Sequence, residues 1–342
     1  MERVRIGING MGRIGRNLAR VIVRDLADRF ELVAVNDIVP VEKIVNALRR
    51  DSVHGVFPAT VEMISDSQVR IGGWTVDTFA EKDAREIPWG DEKVDVVMEC
   101  SGFYLTAEKA HAHIDAGAKK VIISAPAKDD SPVVIVGVND DRLTRSDEIA
   151  SCGSCTTNCL APVIKALDDA FGVIGALVST THAVTAGQNV VDGFGNERAR
   201  TALNNIIPTT TGAARAMGRV FPHLAGRFGA TGLRVPVWDG SVIEAMVLVG
   251  GAHDHDEVAT ALSDSAAKQN ARSAVASVLY VGDRYQVSAD SVGERWSSMV
   301  LEDTVMAIPV ENGTLIKVTS FYDNEIGYSY RMADLALIMA AV

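Results

Sequence analysis

The chain has 342 residues, of which 47% are hydrophobic and 23% are charged, as in a folded globular protein of one large or two ordinary domains. Its 33 lysine and arginine residues face 44 aspartate and glutamate residues, which gives a formal net charge of −11. This charge disfavours nucleic acid and anionic membranes as partners. The first residues, MERVRIGING, are charged where a signal peptide is apolar, and no apolar run reaches the ~18 residues that span a bilayer.

The sequence has four cysteines, Cys100, Cys152, Cys155 and Cys159, and the last three lie within eight residues of one another. A long chain without an export signal is not expected to carry a disulfide framework. We therefore expect a cytoplasmic protein whose thiols are free for chemistry.

The first half of the chain alternates apolar strands with helices. Strands are predicted at Val4–Asn9, Leu32–Asn36, Val94–Cys100, Val121–Ser124 and Val133–Val138. Helical patterns run over Leu18–Leu26, Val41–Arg50 and Ala107–Ala116. Strands that are apolar throughout and alternate with helices are typical of a parallel, doubly wound sheet.

The pattern changes after about residue 150, where strands become longer and alternate polar with apolar residues. Ser241–Val249 is one such strand, and Val305–Val310 and Thr314–Tyr322 predict a hairpin around an Asn-Gly turn. Helices are predicted at Cys155–Phe171, Gly212–Phe221, Val258–Gln269 and Tyr328–Ala341. This pattern predicts a second domain with a mostly antiparallel sheet and helices on one face.

A glycine-rich loop joins the first predicted strand to the first helix. Gly10, Gly12 and Gly15 have the G-x-G-x-x-G spacing, which lets a helix N-terminus approach a pyrophosphate. Asp37 closes the next strand, 22 residues after Gly15, where a carboxylate accepts from ribose hydroxyls and repels a 2′-phosphate. The pattern indicates NAD rather than NADP. The alternative is an ordinary strand–helix turn with a solvated aspartate.

The cysteine cluster SCGSCTTNC precedes and opens a predicted helix. Cys155 falls at the helix start, where the dipole and free amides are expected to lower the pKa of a thiol, whereas Cys159 lies one turn deeper and is interpreted as packing. His182 ends the strand-like run Ala176–Thr181 and is a candidate base, although a structural histidine is the common alternative. A zinc site is disfavoured, because Cys152 and Cys155 lack a second ligand pair.

Eight motifs occur in the order found in the phosphorylating glyceraldehyde-3-phosphate dehydrogenases: INGMGRIGR, VAVND, DSVHG, SCTTNC, TTHAVT, NIIPTTTGAA, RVP and YDNEIGYSYR. The chain resembles this family over essentially its full length, and the erythrose-4-phosphate dehydrogenases share the motifs. The resemblance implies an α/β Rossmann NAD-binding domain over 1–154, completed by a C-terminal helix over 325–342. It also implies an α+β catalytic domain over 155–324 and a homotetramer.

The resemblance also implies residue roles. Cys155 would attack the aldehyde carbon, His182 would act as the base, NAD would accept the hydride, and inorganic phosphate would release the product as an acyl phosphate. Residues implied at the cofactor are Gly10, Gly12, Arg13, Ile14, Gly15, Asp37, Ser124, Asn324 and Tyr328. Those implied at the two phosphates are Ser154, Thr156, Thr185, Arg198, Thr211, Gly212 and Arg234. Without the resemblance, the two arginines are interpreted as solvated cations and Thr209–Thr211 as a helix cap.

The sequence departs from the family pattern at five places. The loop 192–205 is about three residues shorter than usual, as surface loops tolerate. The other departures are Gly187, Glu197, Trp238 and Ile326. They leave the cysteine chemistry intact but allow another substrate, such as erythrose 4-phosphate. A further alternative is a non-catalytic NAD-binding scaffold, which the presence of both Cys155 and His182 disfavours.

Overall fold

The computed structural model describes residues 2–275 and 277–342. The chain divides into two compact units. The first unit runs to Val134 and includes Asp140–Gly153 and Ser329–Val342, and the second comprises Ile135–Asn139 and Ser154–Tyr328. Within the described part of the chain, none of the helices combines the length and the apolar character needed to cross a membrane.

Strands and helices alternate in the first unit, as the apolar runs predicted. The strands are β1 (Val4–Asn9), β2 (Phe30–Asn36), β3 (Arg50–Asp51), β4 (Gly55–Val56), β5 (Val61–Ser65), β6 (Gln68–Ile71), β7 (Trp74–Phe79), β8 (Val96–Glu99), β9 (Lys120–Ile123) and β10 (Ile149–Ser151). The helices are α1 (Arg13–Asp25), α2 (Val41–Arg49) and α3 (Ala107–Asp115).

The main sheet of this unit has the strand order β10-β9-β8-β1-β2-β7-β6-β5. Pairing is parallel from β10 to β7 and antiparallel from β7 to β5. The carboxyl ends of β1, β2 and β8, at Asn9, Asn36 and Glu99, therefore lie at one edge of the sheet. Ligands of doubly wound sheets bind at this edge, so the fold places the glycine loop and Asp37 where a dinucleotide is expected.

The prediction of a strand at Val133–Val138 is wrong. Val133 forms only an isolated bridge with Ser151, and the chain then turns, because the amides of Val138 and Asn139 both donate to the Ile135 carbonyl. The Asn139 side chain closes this turn by accepting from the Ile135 amide at 2.8 Å. The run is apolar because it is buried, and the unpredicted strand β10 pairs with β9 instead.

The second unit contains the remaining elements. In chain order they are α4 (Cys155–Phe171), β11 (Val173–His182), β12 (Ile207–Thr209), α5 (Ala213–Val220), β13 (Phe228–Arg234), β14 (Ser241–Val249), α6 (His255–Asn270), β15 (Leu279–Gly282), β16 (Ser298–Leu301), β17 (Met306–Val310), β18 (Gly313–Tyr322) and α7 (Ile326–Ala341), of which the last runs on into the first unit. The sheet order is β12-β13-β11-β14-β18-β16-β15, with β17 pairing to β18.

Alternating burial along β14 explains the layering of this unit. Ile243, Ala245 and Val247 are fully buried, whereas Met246 on the opposite face is 43% exposed. Helix α4 packs against β14, β16 and β18 on the buried face. Pairing is mostly antiparallel, with parallel pairs β11–β13 and β15–β16. The predicted combination of an α/β dinucleotide-binding fold with a mostly antiparallel α+β fold is confirmed.

Candidate functional site

The glycine loop of the first unit is fitted closely to its neighbours at two of its three glycines. Gly10 has a φ of +93°, and a Cβ there would lie 2.6 Å from the Ser101 amide nitrogen. A Cβ at Gly15 would lie 2.0 Å from the Gly10 carbonyl oxygen. A Cβ at Gly12 would meet no atom within 4 Å, so the space above it is open. Open space at the start of α1 fits the approach of a pyrophosphate.

Asp37 lies beside this loop and is held by two backbone amides. Its Oδ2 accepts from the Met11 amide at 2.6 Å, and its Oδ1 accepts from the Val39 amide at 3.0 Å. Asp37 lines a cavity of about 950 Å³ together with Gly10, Gly12 and the exposed ring of Phe103. A fixed carboxylate on a cavity of this size fits the adenosine ribose of a dinucleotide.

The other predicted cofactor residues of the first unit lie at the same sheet edge. Arg13 and Ile14 begin α1, and the Arg13 guanidinium forms an ion pair with Asp51. Ser124 directly follows β9, and its amide donates to the Glu99 carbonyl at 3.0 Å.

Cys155 is the first residue of α4 in the second unit. The Ser154 hydroxyl caps this helix by accepting from the Thr157 amide at 3.1 Å. The Cys155 Sγ lies 3.4 Å from Nε2 of His182, the last residue of β11. The fold thus brings the predicted nucleophile and the predicted base into hydrogen-bond contact.

The ring of His182 is oriented by its other nitrogen. Its Nδ1 lies 2.7 Å from the Ala183 carbonyl oxygen, which can only accept, and also contacts the Arg234 guanidinium, which can only donate. In the tautomer that carries its proton on Nδ1, Nε2 accepts from the thiol. Arg234 pairs in register with His182 across β13 and β11, and its guanidinium contacts Nδ1 and donates to the same carbonyl at 2.9 Å.

The pair is neutral at rest. Burial is the main cause that raises the pKa of the Cys155 thiol to about 11, against the Thr156 amide and the charge of Arg234, which lower it. Burial, followed by the charge of Arg234, lowers the pKa of His182 to about 4. The Thr156 amide at the helix start lowers the thiol pKa as expected, but burial outweighs it, so the net pKa is raised. Activation depends on the base 3.4 Å away.

Tyr322, at the end of β18, was not predicted to belong to this site. Its hydroxyl is 2.9 Å from Oγ1 of both Thr156 and Thr180, and its ring is edge-on to His182 with the centroids 5.8 Å apart. Tyr322 therefore links α4 to β11 directly beside the Cys155–His182 pair. Its position beside the DNE motif is the only sequence signal for it.

Of the two residues predicted at the substrate phosphate, Arg234 contacts His182, and Thr185 follows His182 by three residues in the chain. The Thr185 amide donates to Oε1 of Gln188 at 3.1 Å, a residue that sequence reasoning missed. Gln188 Nε2 and Arg234 Nε are buried donors without a hydrogen-bond partner among the described residues. Unsatisfied buried donors near a guanidinium fit an anionic ligand.

The residues predicted at the second phosphate are partly engaged with one another. Arg198 Nε donates to the Thr209 hydroxyl at 2.8 Å, and the charge of Arg198 contributes to lowering the pKa of His182. The Thr211 hydroxyl accepts from the Ala213 amide at 3.3 Å, and Gly212 is the N-cap residue of α5. Arg198 is thus not simply solvated, and the N-cap residue of α5 is Gly212 rather than one of Thr209–Thr211, although the Thr211 hydroxyl accepts from the first amide of the helix.

Asn324 is buried and is linked through Ser241 to Ala183, the residue after His182. Its Oδ1 accepts from the Ser241 hydroxyl at 2.6 Å, and the Ser241 oxygen accepts from the Ala183 amide at 3.1 Å. Tyr328, in the first turn of α7, is also buried. Asn324 and Tyr328 are therefore both buried residues of the second unit, whereas Ser124 belongs to the first.

The sequence departures differ in their surroundings. Ile326 is buried, and the space around Gly187 is open, since a Cβ there would meet no atom within 4 Å. Trp238 is 64% exposed on the segment between β13 and β14. This segment runs beside Thr185, because the Val184 amide donates to the Val237 carbonyl at 3.0 Å. Trp238 thus belongs to a segment whose backbone is bonded to the residue before Thr185.

The first unit has a parallel sheet with a glycine loop and a fixed acid at its carboxyl edge, and the second unit has a cysteine–histidine pair. Together these features are typical of an NAD-dependent dehydrogenase. Residues 4–107 match a family model described as the NAD-binding domain of glyceraldehyde 3-phosphate dehydrogenase, and residues 154–324 match the model for its C-terminal domain. The chain belongs to the glyceraldehyde-3-phosphate dehydrogenase family, and the cofactor of this family is NAD.

Three relatives illustrate the extent of the similarity. A glyceraldehyde-3-phosphate dehydrogenase of Mycobacterium tuberculosis is 42% identical over 98% of both chains. The enzyme of that name from Xanthobacter flavus is 40% identical over 98% of both chains. A cytosolic form from Pisum sativum is 39% identical over 99% of this chain and 98% of its own.

Proposed function

We propose that this protein is a phosphorylating glyceraldehyde-3-phosphate dehydrogenase that oxidises its aldehyde through a thioester on Cys155. The observation that carries the proposal is the 3.4 Å contact between Cys155 Sγ and His182 Nε2. Burial and the charge of Arg234 lower the pKa of this imidazole to about 4, which favours its neutral form. A base aimed at a partly buried thiol is the arrangement that nucleophilic catalysis needs.

The chemistry of the first half-reaction balances on these two side chains. His182 Nε2 takes the thiol proton as the Cys155 sulfur bonds to the aldehyde carbon, and passes it to the carbonyl oxygen to give a hemithioacetal. Nε2 then takes that hydroxyl proton again as the carbon is oxidised to a thioester. NAD, when bound, supplies the acceptor for the two electrons.

The second half-reaction returns the thiol. An oxygen of inorganic phosphate bonds to the thioester carbon, the carbon–sulfur bond breaks, and the leaving sulfur takes the proton held on His182 Nε2. The acyl phosphate leaves, and the proton that the phosphate loses goes to solvent. We propose Thr185 and Arg234 for the substrate phosphate, and for the attacking phosphate Ser154, Thr156, Arg198, Thr211 and Gly212. The charge of Arg234, whose guanidinium contacts His182, supports the first assignment, since a guanidinium beside the base attracts a phosphate.

The cofactor residues are proposed on the same basis. Backbone atoms at Gly10, Gly12, Arg13, Ile14 and Gly15 would bind the pyrophosphate, and Asp37 the adenosine ribose. Ser124, Asn324 and Tyr328 are assigned to the nicotinamide end. These assignments follow a division into an NAD-binding part, 1–154 with 325–342, and a catalytic part, 155–324.

A homotetramer is proposed from the family likeness and from one surface. The outer face of the second unit's sheet exposes several apolar side chains, including Leu177, Met246, Met306 and Ile308 at 43% or more. Apolar patches of this kind mark protein–protein contacts. Sedimentation velocity tests this point. A cytoplasmic location stays a prediction, and the relative from Pisum sativum carries the name cytosolic.

Absorbance in the NADH band tests the proposed activity. The signal should require NAD, glyceraldehyde 3-phosphate and phosphate together, and should stop at a small burst when phosphate is omitted. A higher kcat/KM with erythrose 4-phosphate would transfer the proposal to that substrate. No NADH with either aldehyde, although NAD binds, would favour a scaffold instead.

A further inference from the structure

A chain of buried polar side chains lies beneath the cavity of the first unit and takes no part in the proposed chemistry. Its centre is Glu99, the last residue of β8, which is 1% exposed. A buried carboxylate is costly unless its oxygens accept hydrogen bonds. Glu99 Oε2 accepts from Asn9 Nδ2 at 2.6 Å and lies 3.0 Å from His113 Nε2, and Oε1 accepts from the Ser101 amide and hydroxyl.

Trp89 fixes the direction of this chain at its inner end. An indole nitrogen can only donate, and Trp89 Nε1 lies 3.0 Å from His113 Nδ1. His113 Nδ1 is therefore the acceptor, so the ring proton is on Nε2, which donates to Glu99. Trp89 and His113 are both fully buried, so their partners are set by the fold.

Two asparagines continue the chain to the cavity wall. Asn9 Oδ1 accepts from Asn36 Nδ2 at 2.8 Å. Asn36 in turn holds the backbone of Glu81, since its Nδ2 donates to the Glu81 carbonyl at 2.9 Å and its Oδ1 accepts from the Glu81 amide at 2.8 Å. All three residues line the cavity. From the cavity wall inward, each side-chain amide therefore donates to the next residue: Asn36 donates to Asn9, and Asn9 donates to Glu99.

We propose that Glu99 is a positioning residue for the adenosine half of NAD. By accepting from Asn9, Glu99 fixes the orientation of the Asn9 amide, which in turn fixes that of Asn36. Because Asn9 and Asn36 are the last residues of β1 and β2, the positions of these strand ends at the cavity wall are fixed as well. Asn36 directly precedes Asp37, and its carbonyl accepts from the Gly10 amide at 2.8 Å. Asn36 thus holds both the glycine loop, through the Gly10 amide, and the proposed ribose-binding residue Asp37, which follows it in the chain. The inference rests on the proposal that this cavity holds that part of the cofactor.

Replacing the carboxylate by an amide disturbs the whole chain. In Glu99→Gln, one acceptor oxygen becomes an NH₂ group. At the Oε2 position this group faces both His113 Nε2 and Asn9 Nδ2, and rotating the Asn9 amide only moves the donor–donor conflict to Asn36 Nδ2. At the Oε1 position it faces the amide of Ser101, a residue that lines the cavity and abuts Gly10. A single change at a buried residue is therefore transmitted to the cavity wall.

Calorimetric titration with NAD and with AMP, which probes the adenosine half alone, tests the proposal. Glu99→Gln should raise both Kd values by about tenfold or more, which corresponds to about 1.4 kcal/mol. His111→Gln is the matched control, because His111 is an exposed residue of α3, the helix that also carries His113, and its ring forms an ion pair with Asp115. The rate of Cys155 alkylation without cofactor should be unchanged in both variants, which separates the effect from general unfolding.

Coupling to Asn9 distinguishes positioning from a merely structural role. In the double variant Glu99→Gln/Asn9→Ala, the loss of AMP affinity should match the larger single loss, whereas full additivity overturns the proposal. A folded Glu99→Gln protein that binds AMP within about twofold of the wild type also overturns it.

A second variant covers the case in which Glu99→Gln does not fold. Trp89→Phe removes the donor to His113 Nδ1 together with part of a buried ring, and residue 89 lies outside the cavity lining. It should weaken AMP binding about threefold, and unchanged binding overturns the proposal. A wild-type protein that does not bind AMP would instead contradict the proposed use of the cavity.

Discussion

The cavity of the first unit and the thiol site of the second unit are built in different ways. The first is shaped largely by backbone, because close contacts at Gly10 and Gly15 set the loop and amides of Met11 and Val39 hold Asp37. The second is made of side chains at the ends of α4, β11, β13 and β18, which are far apart in sequence. A backbone site is encoded by short motifs and tolerates side-chain changes. A side-chain site depends on burial and on each functional group, so its variants are expected to lose more.

Replacing Cys155 should give the largest effect. In Cys155→Ser, kcat is expected to fall more than about a thousandfold, because no thioester can form, while the Kd for NAD stays within about twofold. Steady-state kinetics and calorimetry measure the two quantities. Cys159→Ser, four residues along the same helix, is the control, since Cys159 already contacts the Ser298 and Ser320 hydroxyls. Retention of a tenth of the activity in Cys155→Ser would remove the covalent mechanism.

Loss of the base should come next. His182→Asn is expected to lower kcat about a hundredfold. It should also slow alkylation of Cys155 by iodoacetamide at pH 7, since burial raises the pKa of the thiol to about 11. The exposed His223, replaced by asparagine, serves as control. An unchanged alkylation rate in His182→Asn would show that the helix start activates the thiol without the imidazole.

Burial of His182 should appear in the pH dependence of stability. Its pKa is lowered from 6.5 to about 4, so the unfolded chain binds a proton on acidification before the folded protein does. The contribution of His182 to the free energy of unfolding is therefore complete above pH 6.5 and decreases as the pH falls toward 4. At pH 5 the decrease is about 2 kcal/mol. Urea unfolding at pH 7 and pH 5 should show a smaller loss of stability for His182→Asn than for the wild type. Equal losses in the two proteins would contradict a buried, neutral imidazole.

A smaller effect is expected at the backbone-built cavity. Asp37→Ala should lower the ratio of kcat/KM for NAD over NADP by about tenfold, because the carboxylate that repels a 2′-phosphate is removed. Asp28, an exposed acid outside the cavity lining, supplies the charge-matched control Asp28→Ala. An unchanged ratio in Asp37→Ala would place cofactor selection elsewhere in the cavity.

The same contrast decides what could be predicted from sequence. The glycine spacing, Asp37 and the helix bounds Cys155–Phe171 could be predicted, because each depends on local pattern. Tyr322 and Gln188 could not, since their roles come from partners in other elements. The pKa of Cys155 was misjudged because burial is a property of the fold, and Val133–Val138 was misassigned because apolar residues in a buried turn resemble a strand.

Mass spectrometry of the acid-quenched protein tests the covalent step most directly. The protein is mixed with NAD and glyceraldehyde 3-phosphate without phosphate, quenched and digested. The peptide that carries Cys155 should gain the mass of the acyl group, lose it on addition of phosphate before the quench, and show no gain in Cys155→Ser. Turnover without any adduct on that peptide, or with the acyl group on another residue, would contradict the proposed thioester.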